Sequence, residues 1–313
     1  MHLCVQIPCL NEEETLPAVL AKIPKHIPGI DKITIVVIND GSNDNTVAVA
    51  KQHGVKHFVQ HAERRGLARS FQDGILYCLQ QGADIIVNTD GDNQYPSEDI
   101  PRLIEPILAG RADMVIADRQ VQRIAHFSPA KKLLQRFGTW TLNRAAHTNL
   151  PDGPSGFRAY SRDTALCLNV VTNFSYAMET IVQAGHNGTA IESVAIEVNP
   201  KTRESRLFNS STEHVLRSGG AIFRAFVMYR PYALFLSISA TLFVLGTIPF
   251  GRFLWGVFDN RPGGHIQSLI FGLVFMVAAL FSFTLGVIAD LTRINRITAE
   301  KQLELTRRMY LDA

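Results

Sequence analysis

Cysteine is scarce in this chain, and the four present (Cys4, Cys9, Cys78 and Cys167) show no paired metal-ligand spacing. Most lie in apolar runs, which fits core thiols in a reducing compartment and argues against a disulfide framework or a zinc site. An excess of one charge is also missing. The formal balance is +3, too small for a nucleic-acid-binding surface, so no nucleic acid is expected as a partner. A cleavable leader is not expected either, because Met1 leads directly into Leu3-Cys4-Val5-Gln6-Ile7, which reads as a strand. Long apolar runs are lacking in the first two thirds and concentrated in the last. The 46% apolar content thus divides the chain into an alternating strand–helix part and a membrane-like part.

The first part is organised around Ile85-Ile86-Val87-Asn88-Thr89-Asp90-Gly91-Asp92-Asn93-Gln94. Three β-branched residues read as a short buried strand that turns polar at its carboxyl end. Asp90 and Asp92, flanking Gly91, can both face one hard cation, and Gln94 can add a neutral oxygen. Mg²⁺ or Mn²⁺ is held in this way, by one or two carboxylates together with substrate phosphates. A polar turn that caps the next helix accounts for the same residues equally well.

Leu3 to Ile7 ends at Pro8, and Asn11-Glu12-Glu13-Glu14 opens a helix with acidic residues in its first turn. Lys32 to Ile38 is a second strand, followed by the turn chemistry of Asn39-Asp40-Gly41-Ser42-Asn43-Asp44-Asn45-Thr46 and a helix from Val47 to Gln52. Asp40 can accept hydrogen bonds there from a base or ribose. Val55 to Gln60 reads as a third strand, and Arg64-Arg65-Gly66-Leu67-Ala68-Arg69 leads into a helix through Leu79. This alternation predicts a doubly wound, Rossmann-like α/β sheet that binds ligands beyond the carboxyl ends of its strands. Pro8, Asp40 and Asp90 all fall at such ends and converge on one crevice.

Pro8-Cys9-Leu10-Asn11-Glu12, the run Asn39 to Thr46 and Asp90-Gly91-Asp92-Asn93-Gln94 resemble, in order, the successive signatures of family 2 glycosyltransferases. Asp152-Gly153-Pro154-Ser155-Gly156-Phe157-Arg158 is similar to the Asp-x-x-Ser-Gly-Phe segment of the family's polyprenyl-phosphate branch. The resemblance covers roughly Cys4 to Phe208. It implies a GT-A fold, a nucleotide-sugar donor, a polyprenyl phosphate acceptor, Mg²⁺ or Mn²⁺, and inversion at the anomeric carbon. Matched by position, it implies that Pro8, Leu10, Glu12, Ile38 and Asp40 contact the nucleoside. It assigns metal and diphosphate to Asp90, Gly91 and Asp92, assisted by Gln94. Arg119, after the strand Met114-Val115-Ile116-Ala117, matches the family arginine that faces phosphate; a solvated loop arginine is the plain alternative. Asp152 is the family-matched carboxylate near the anomeric centre, and Ser155 a substrate contact. Two departures stand out. The family often has Asp-Asp where this chain has Asn39-Asp40, which leaves the base open. Its later Arg-x-x-Gly-x-Ser-Lys pattern is replaced by Lys201-Thr202-Arg203-Glu204-Ser205-Arg206, with Arg203 and Arg206 as the candidate cations.

Between these motifs, Lys131, Lys132 and Arg136 form either one solvated helix face or a basic surface beside a phosphate-bearing lipid. The second reading puts Lys132 and Arg136 at the acceptor. Asn173 to Glu179 resembles the family's aromatic–Glu stretch, in which Glu179 orients a neighbouring cation. Ile191 to Val198 reads as the last strand, and Pro200 to Phe208 as a basic loop able to close over the donor.

Residues 1–208 are thus expected to form the catalytic domain. Residues 209–230 form an amphipathic helix, with Arg217 and Arg224 between apolar residues. Residues 231–291 hold two apolar runs, Tyr232 to Phe250 and Ile266 to Leu291, each near the ~20 residues that span hydrocarbon. Residues 292–313 form a charged tail. Arg217, Arg224 and Arg230 precede the runs and Arg293, Arg296, Lys301, Arg307 and Arg308 follow them, whereas only Arg261 lies clearly between. The positive-inside rule then places an integral protein in the cell's inner membrane with its catalytic domain and both termini cytoplasmic. Membrane hairpins of this kind can pack against copies of themselves, so a homo-oligomer stays open. A processive polysaccharide synthase would bring Gln-x-x-Arg-Trp, but Trp140 and Trp255 follow Thr139 and Leu254. A non-catalytic nucleotide-binding membrane scaffold would tolerate a damaged metal motif, yet Asp90, Asp92 and Gln94 are intact.

Overall fold

The computed structural model describes residues 1–120, 129–146, 148–170, 176–200, 227, 231–258 and 266–312, with side chains omitted at 129–135, 137, 145 and 312. The chain divides into two compact units, Met1–Ala225 with Glu300–Ala313, and Phe226–Ala299.

The first unit is built on seven strands: β1 (His2–Cys9), β2 (Lys32–Asn39), β3 (His57–Gln60), β4 (Ile85–Asn88), β5 (Met114–Asp118), β6 (Arg158–Ser161) and β7 (Ile191–Ala195). They form one sheet in the order β3-β2-β1-β4-β6-β5-β7. Every pairing is parallel except those of β6, which runs antiparallel to both β4 and β5. The β-branched runs expected as strands are the ones buried at the sheet's centre. Strand β6 was not anticipated, since its four residues begin with a charged arginine.

Alternation along the strands divides the core. Leu3, Val5 and Ile7 of β1, Ile85 and Val87 of β4, and Ala159 of β6 pack with Leu16 and Val19 of helix α1 (Leu16–Lys22) and Leu103 and Ile104 of helix α4 (Ile100–Leu108). The residues between them point to the other face, so Gln6, Asn88 and Arg158 share one side of the sheet. Register confirms this row: Gln6 pairs with Asn88, and Asn88 with Arg158. The remaining helices of this unit are α2 (Thr46–Gln52), α3 (Leu67–Gln80), α5 (Pro129–Ala146), α6 (Arg162–Cys167) and α7 (Tyr176–His186). Phe71 of α3 stacks on Tyr176 of α7 with ring centroids 4.2 Å apart.

Two long helices follow, α8 (Pro231–Phe258) and α9 (Ile266–Asp312), both long and apolar enough to cross a membrane. Within the second unit they approach closely at glycine. A Cβ on Gly246 would lie 3.1 Å from the Gly272 carbonyl, and a Cβ on Gly272 would lie 3.1 Å from that of Gly246. Ser239 donates to the Ala279 carbonyl (2.8 Å) and Ser282 to that of Phe235 (3.1 Å). Small residues and interhelical hydroxyl bonds suit helix packing where lipid removes the hydrophobic drive. Apolar side chains elsewhere on the pair, such as Ile248, Phe271 and Phe281, are exposed. Helix α9 continues unbroken from the apolar run into the charged tail. In the first unit, Arg307 of this tail donates to the carbonyls of Leu166 (2.9 Å) and Leu168 (2.6 Å), and Arg308 pairs with Asp163 (2.9 Å).

Candidate active site

Two strand-to-helix corners form one wall of the site. Asn11 takes a left-handed conformation (φ 55°) that turns the chain out of β1. Its backbone N–H donates to Ser42 Oγ (3.0 Å), and its side chain accepts from the Asn43 N–H (2.8 Å). The Glu12 N–H donates to Thr46 Oγ1 (2.8 Å). The Asn and Ser residues expected as turn formers therefore bind the β1 and β2 corners to each other. Pro8 and Ile38 are buried register partners at these strand ends, and Leu10 is half-buried beside them.

Asp40 is buried, and its carboxylate is already engaged. Oδ1 accepts from the Arg65 N–H (2.8 Å) and faces His61 Nδ1 (2.9 Å), while Oδ2 accepts from the Gly66 N–H (2.9 Å). The other ring nitrogen of His61 faces Asp73 (3.1 Å). Asp40 thus shapes the loop leading into α3 as well as lying at the predicted strand end.

Beyond β4, the turn at 90–94 is tightly held. Asp92 accepts from the Gln94 N–H (3.1 Å) and from Gln94 Nε2 (2.7 Å), so Gln94 reaches this site through Asp92. Thr15 Oγ1 lies 2.7 Å from the Gly91 carbonyl and 2.8 Å from Glu12 Oε2. A Cβ on Gly91 would meet Cys9 Sγ at 3.0 Å and Glu12 Cγ at 3.2 Å, so the turn sits tightly against the β1 corner and a larger residue would press on these side chains. Burial, and then the neighbouring Asp92, raises the Asp90 carboxyl to about 7, against the pull of Arg119. Burial also pushes the Cys9 thiol well up, aided by Glu12 and Asp90, which leaves it inert. A buried carboxylate whose proton affinity is raised by a second carboxylate beside it belongs to an oxygen donor set of the kind hard divalent cations take, so the residues fit Mg²⁺ or Mn²⁺.

The opposite wall comes from the ends of β5 and the segment before β6. Arg119 binds Asp152 in a fork, Nε to Oδ2 at 2.7 Å and Nη2 to Oδ1 at 2.9 Å, with a further 3.2 Å bond from its own N–H. Asp152 is 1% exposed and Arg119 21%, so the cation keeps an edge open to the site. Ser155 is buried, with no hydrogen-bond partner for its hydroxyl among the described residues. A Cβ on Gly156 would lie 3.1 Å from Asp90 Oδ2, which brings this segment against the 90–94 turn.

Of the remaining expected residues, Arg136 is exposed on α5, Lys132 lies on the same helix without a described side chain, and Glu179 is buried on α7. Arg203, Arg206 and the amphipathic segment before α8 lie outside the described residues. Asn199 is anchored at the 90–94 turn: its N–H donates to the Gln94 carbonyl (3.0 Å) and its side chain to that of Asn93 (3.0 Å). Sequence reading passed over Asn199, Thr15 and Tyr95, and placed Tyr176 only within the aromatic–Glu stretch. The phenol of Tyr95 accepts from the Gly156 N–H (2.9 Å), and that of Tyr176 accepts from Asn88 Nδ2 (3.0 Å). Asn199, Thr15 and Tyr95 sit in no short motif; a polar residue beside an apolar run was their single trace.

The family model described as glycosyl transferase family 2 matches residues 4–167. An undecaprenyl-phosphate mannosyltransferase of Micrococcus luteus is 28% identical over 187 residues, covering 57% of this chain and 75% of that protein. The glycosyltransferase AglJ of Haloferax volcanii is 28% identical over 306 residues, covering 92% of both chains. Among solved structures, glucosyl-3-phosphoglycerate synthase from Mycobacterium tuberculosis, in complex with Mn²⁺, UDP-glucose and phosphoglyceric acid, matches with a TM-score of 0.57. It is 20% identical, and the match covers 72% of this chain and 78% of that one. The fold is GT-A.

Proposed function

From the premise that this chain belongs to glycosyl transferase family 2, we propose that it transfers one sugar from a UDP- or GDP-hexose to a polyprenyl phosphate, undecaprenyl or dolichyl, with inversion at the anomeric carbon. The product would be a lipid-linked monosaccharide for glycan or glycoconjugate assembly. The observation that carries this reading is the meeting of the Asp90/Asp92 turn with the Arg119–Asp152 pair in a chain that also holds two helices long enough to span a membrane. A water-soluble donor and a lipid-borne acceptor have to meet at a bilayer surface. The names of the Micrococcus luteus and Haloferax volcanii relatives support the same class.

In this reading Asp90 and Asp92 hold Mg²⁺ or Mn²⁺, with Gln94 fixing Asp92. Bound there, the ion acts as a Lewis acid toward the diphosphate leaving group. The open edge of Arg119 adds fixed positive charge beside the phosphates. The acceptor phosphate, with a second pKa near ~6, arrives largely ionised and needs no general base. Both oxygens of Asp152 are engaged by Arg119, which suits a positioning role. Ser155, whose buried hydroxyl has no hydrogen-bond partner among the described residues, is the candidate contact for a sugar or phosphate oxygen, and Lys132, Arg136, Arg203 and Arg206 serve the phosphates. By charge asymmetry the active domain and both termini lie on the cytoplasmic side of the inner membrane.

The test is transfer by the full chain in lipid nanodiscs, with labelled UDP- and GDP-hexoses and polyprenyl phosphate, with and without Mn²⁺. Metal-dependent formation of a lipid-linked monosaccharide is expected. A long polymer would indicate a synthase, and nucleotide binding without any product would indicate a scaffold; either ends this reading.

A further inference from the structure

Arg158 is fully buried, and no carboxylate lies within salt-bridge distance of it among the described residues. Its guanidinium is instead caged by neutral acceptors. Nε donates to the Ser155 carbonyl (2.7 Å), Nη2 to that of Gly153 (2.6 Å), and Nη1 to both the Ala177 carbonyl (2.8 Å) and Thr180 Oγ1 (2.7 Å). The ring of Tyr176 lies 6.0 Å from the guanidinium carbon. Its register partner on β4 is Asn88, two residues before Asp90. Asn88 accepts from Gln6 Nε2 (2.9 Å) and donates through Nδ2 to the Gly156 carbonyl (2.8 Å) and the Tyr176 phenol (3.0 Å). Between them, these cross-strand neighbours bind the backbone carbonyls of Gly153, Ser155 and Gly156.

We propose that Arg158, with Asn88 beside it, is a positioning residue that sets where the Asp152–Arg119 pair lies relative to the Asp90/Asp92 pair. The two carboxylate groups of the site belong to different elements. Their spacing depends on how the five-residue segment 152–156 lies along the end of β4. Three carbonyls of that segment end on one rigid fork and one amide, and the fork also grips the first turn of α7. Lysine is a single flexible point charge and cannot bridge two carbonyls and a helix at once. Arg158 has no carboxylate at salt-bridge distance among the described residues and feels Asp90 only at longer range, so its charge is held chiefly by backbone carbonyls, which argues for a role in geometry. The proposal rests on the transferase reading for its kinetic consequence, but its structural consequence can be read without any turnover.

The experiment uses Arg158→Lys in the full chain, in nanodiscs with Mn²⁺. Expected is a kcat lower by roughly 10–10²-fold per nucleotide-binding site, since small displacements in a site cost that much. The donor KM and the affinity for UDP or GDP should stay within about twofold of the parent, because the β1 and β2 corners are untouched. Amide hydrogen exchange across 152–157 should speed up by about tenfold or more, while exchange in β1 and β2 stays as in the parent. A merely structural role would lower the folded fraction but leave kcat per nucleotide site and local exchange unchanged, and that outcome overturns the proposal. So does a loss that falls on donor KM. Should Arg158→Lys fail to fold, Thr180→Val removes one acceptor and keeps the charge; parental kcat and exchange in that variant would likewise refute it. If the parent transfers no sugar from any donor, the function assigned above has failed, and exchange with nucleotide binding still judges the placement of 152–157.

Discussion

Arg119 and Asp152 form a bidentate ion pair in which every oxygen of a 1%-exposed carboxylate is engaged. A carboxylate held in this way is poorly placed to accept a proton from a substrate. For Asp152→Asn we therefore expect a lower plateau rate with an unchanged pH profile, whose limb follows the acceptor's second ionisation near ~6. The measurement is the pH dependence of transfer at fixed metal and saturating donor. A limb present in the parent and missing in the variant would identify Asp152 as a base, which contributes about 10²–10⁴-fold.

The same pair predicts an asymmetry in stability. Arg119→Leu strands a buried carboxylate, and removing one partner of such a pair typically costs about 3–5 kcal/mol. Because the arginine is partly exposed, the lower end of that range is expected. Asp152→Asn keeps an acceptor for the guanidinium and should cost clearly less. Urea unfolding of both variants checks the order, and the reverse order would count against a structural pairing.

Asp92 accepts from both the backbone and the side-chain nitrogen of Gln94, which fixes its carboxylate at the turn. Asp92→Asn should abolish metal-dependent transfer while leaving the chain folded and membrane-bound. Gln94→Ala should weaken Mn²⁺ affinity and retain measurable turnover at saturating metal. Near-normal transfer by Asp92→Asn in saturating Mn²⁺ would remove Asp92 from the metal site.

Arginine and lysine lie on both flanks of the apolar pair, so Met1 and Ala313 are expected in the cytoplasm and residues 259–265 on the other side. In intact cells, a cysteine introduced at Asn260 should react with an impermeant thiol reagent. Labelling of cysteines placed at both termini instead would reverse the orientation.

What could be read from the sequence was the chemistry that lies within a few residues. The corners after β1 and β2 and the Asp90-Gly91-Asp92 turn each sit in one continuous stretch, so strand ends and carboxylates appear together. The support behind them is not continuous. Asn88 meets the Gly156 carbonyl 68 residues away and Tyr176 at a separation of 88. Nothing local distinguishes these from ordinary polar residues. Strand β6 escaped for a related reason: Arg158 opens it, and a charged residue at a strand start reads as a loop until its four neutral acceptors are known. Asp40 was legible as a strand-end carboxylate, but its bonds to the Arg65 and Gly66 amides required the loop to be folded back.

Asp90 supplies a test of how the site works against the fold. Burial and Asp92 raise its carboxyl to about 7, from an ordinary value of 3.8. The metal-free folded state therefore holds this proton more tightly than the unfolded chain does. Stability contributed by the protonated form is fully present below the ordinary value and is lost as pH rises through about 7. At pH 8 the metal-free fold carries two facing carboxylates, and a divalent ion would relieve them. Two results follow. Asp90→Asn should raise the Tm of metal-free protein at pH 8, and a gain of about 1 kcal/mol would appear as roughly 2–4 °C for a domain of this size. The gap should shrink as pH falls, and at pH 3.5 the variant and parent should nearly coincide, because Asp90 is then protonated in the folded and the unfolded parent alike. Mn²⁺ should stabilise the parent more at pH 8 than at pH 6, where it must displace the proton, and should leave Asp90→Asn almost unaffected. Scanning calorimetry of both proteins at the three pH values, with and without Mn²⁺, decides the matter; equal metal stabilisation of parent and variant would take Asp90 out of the metal site.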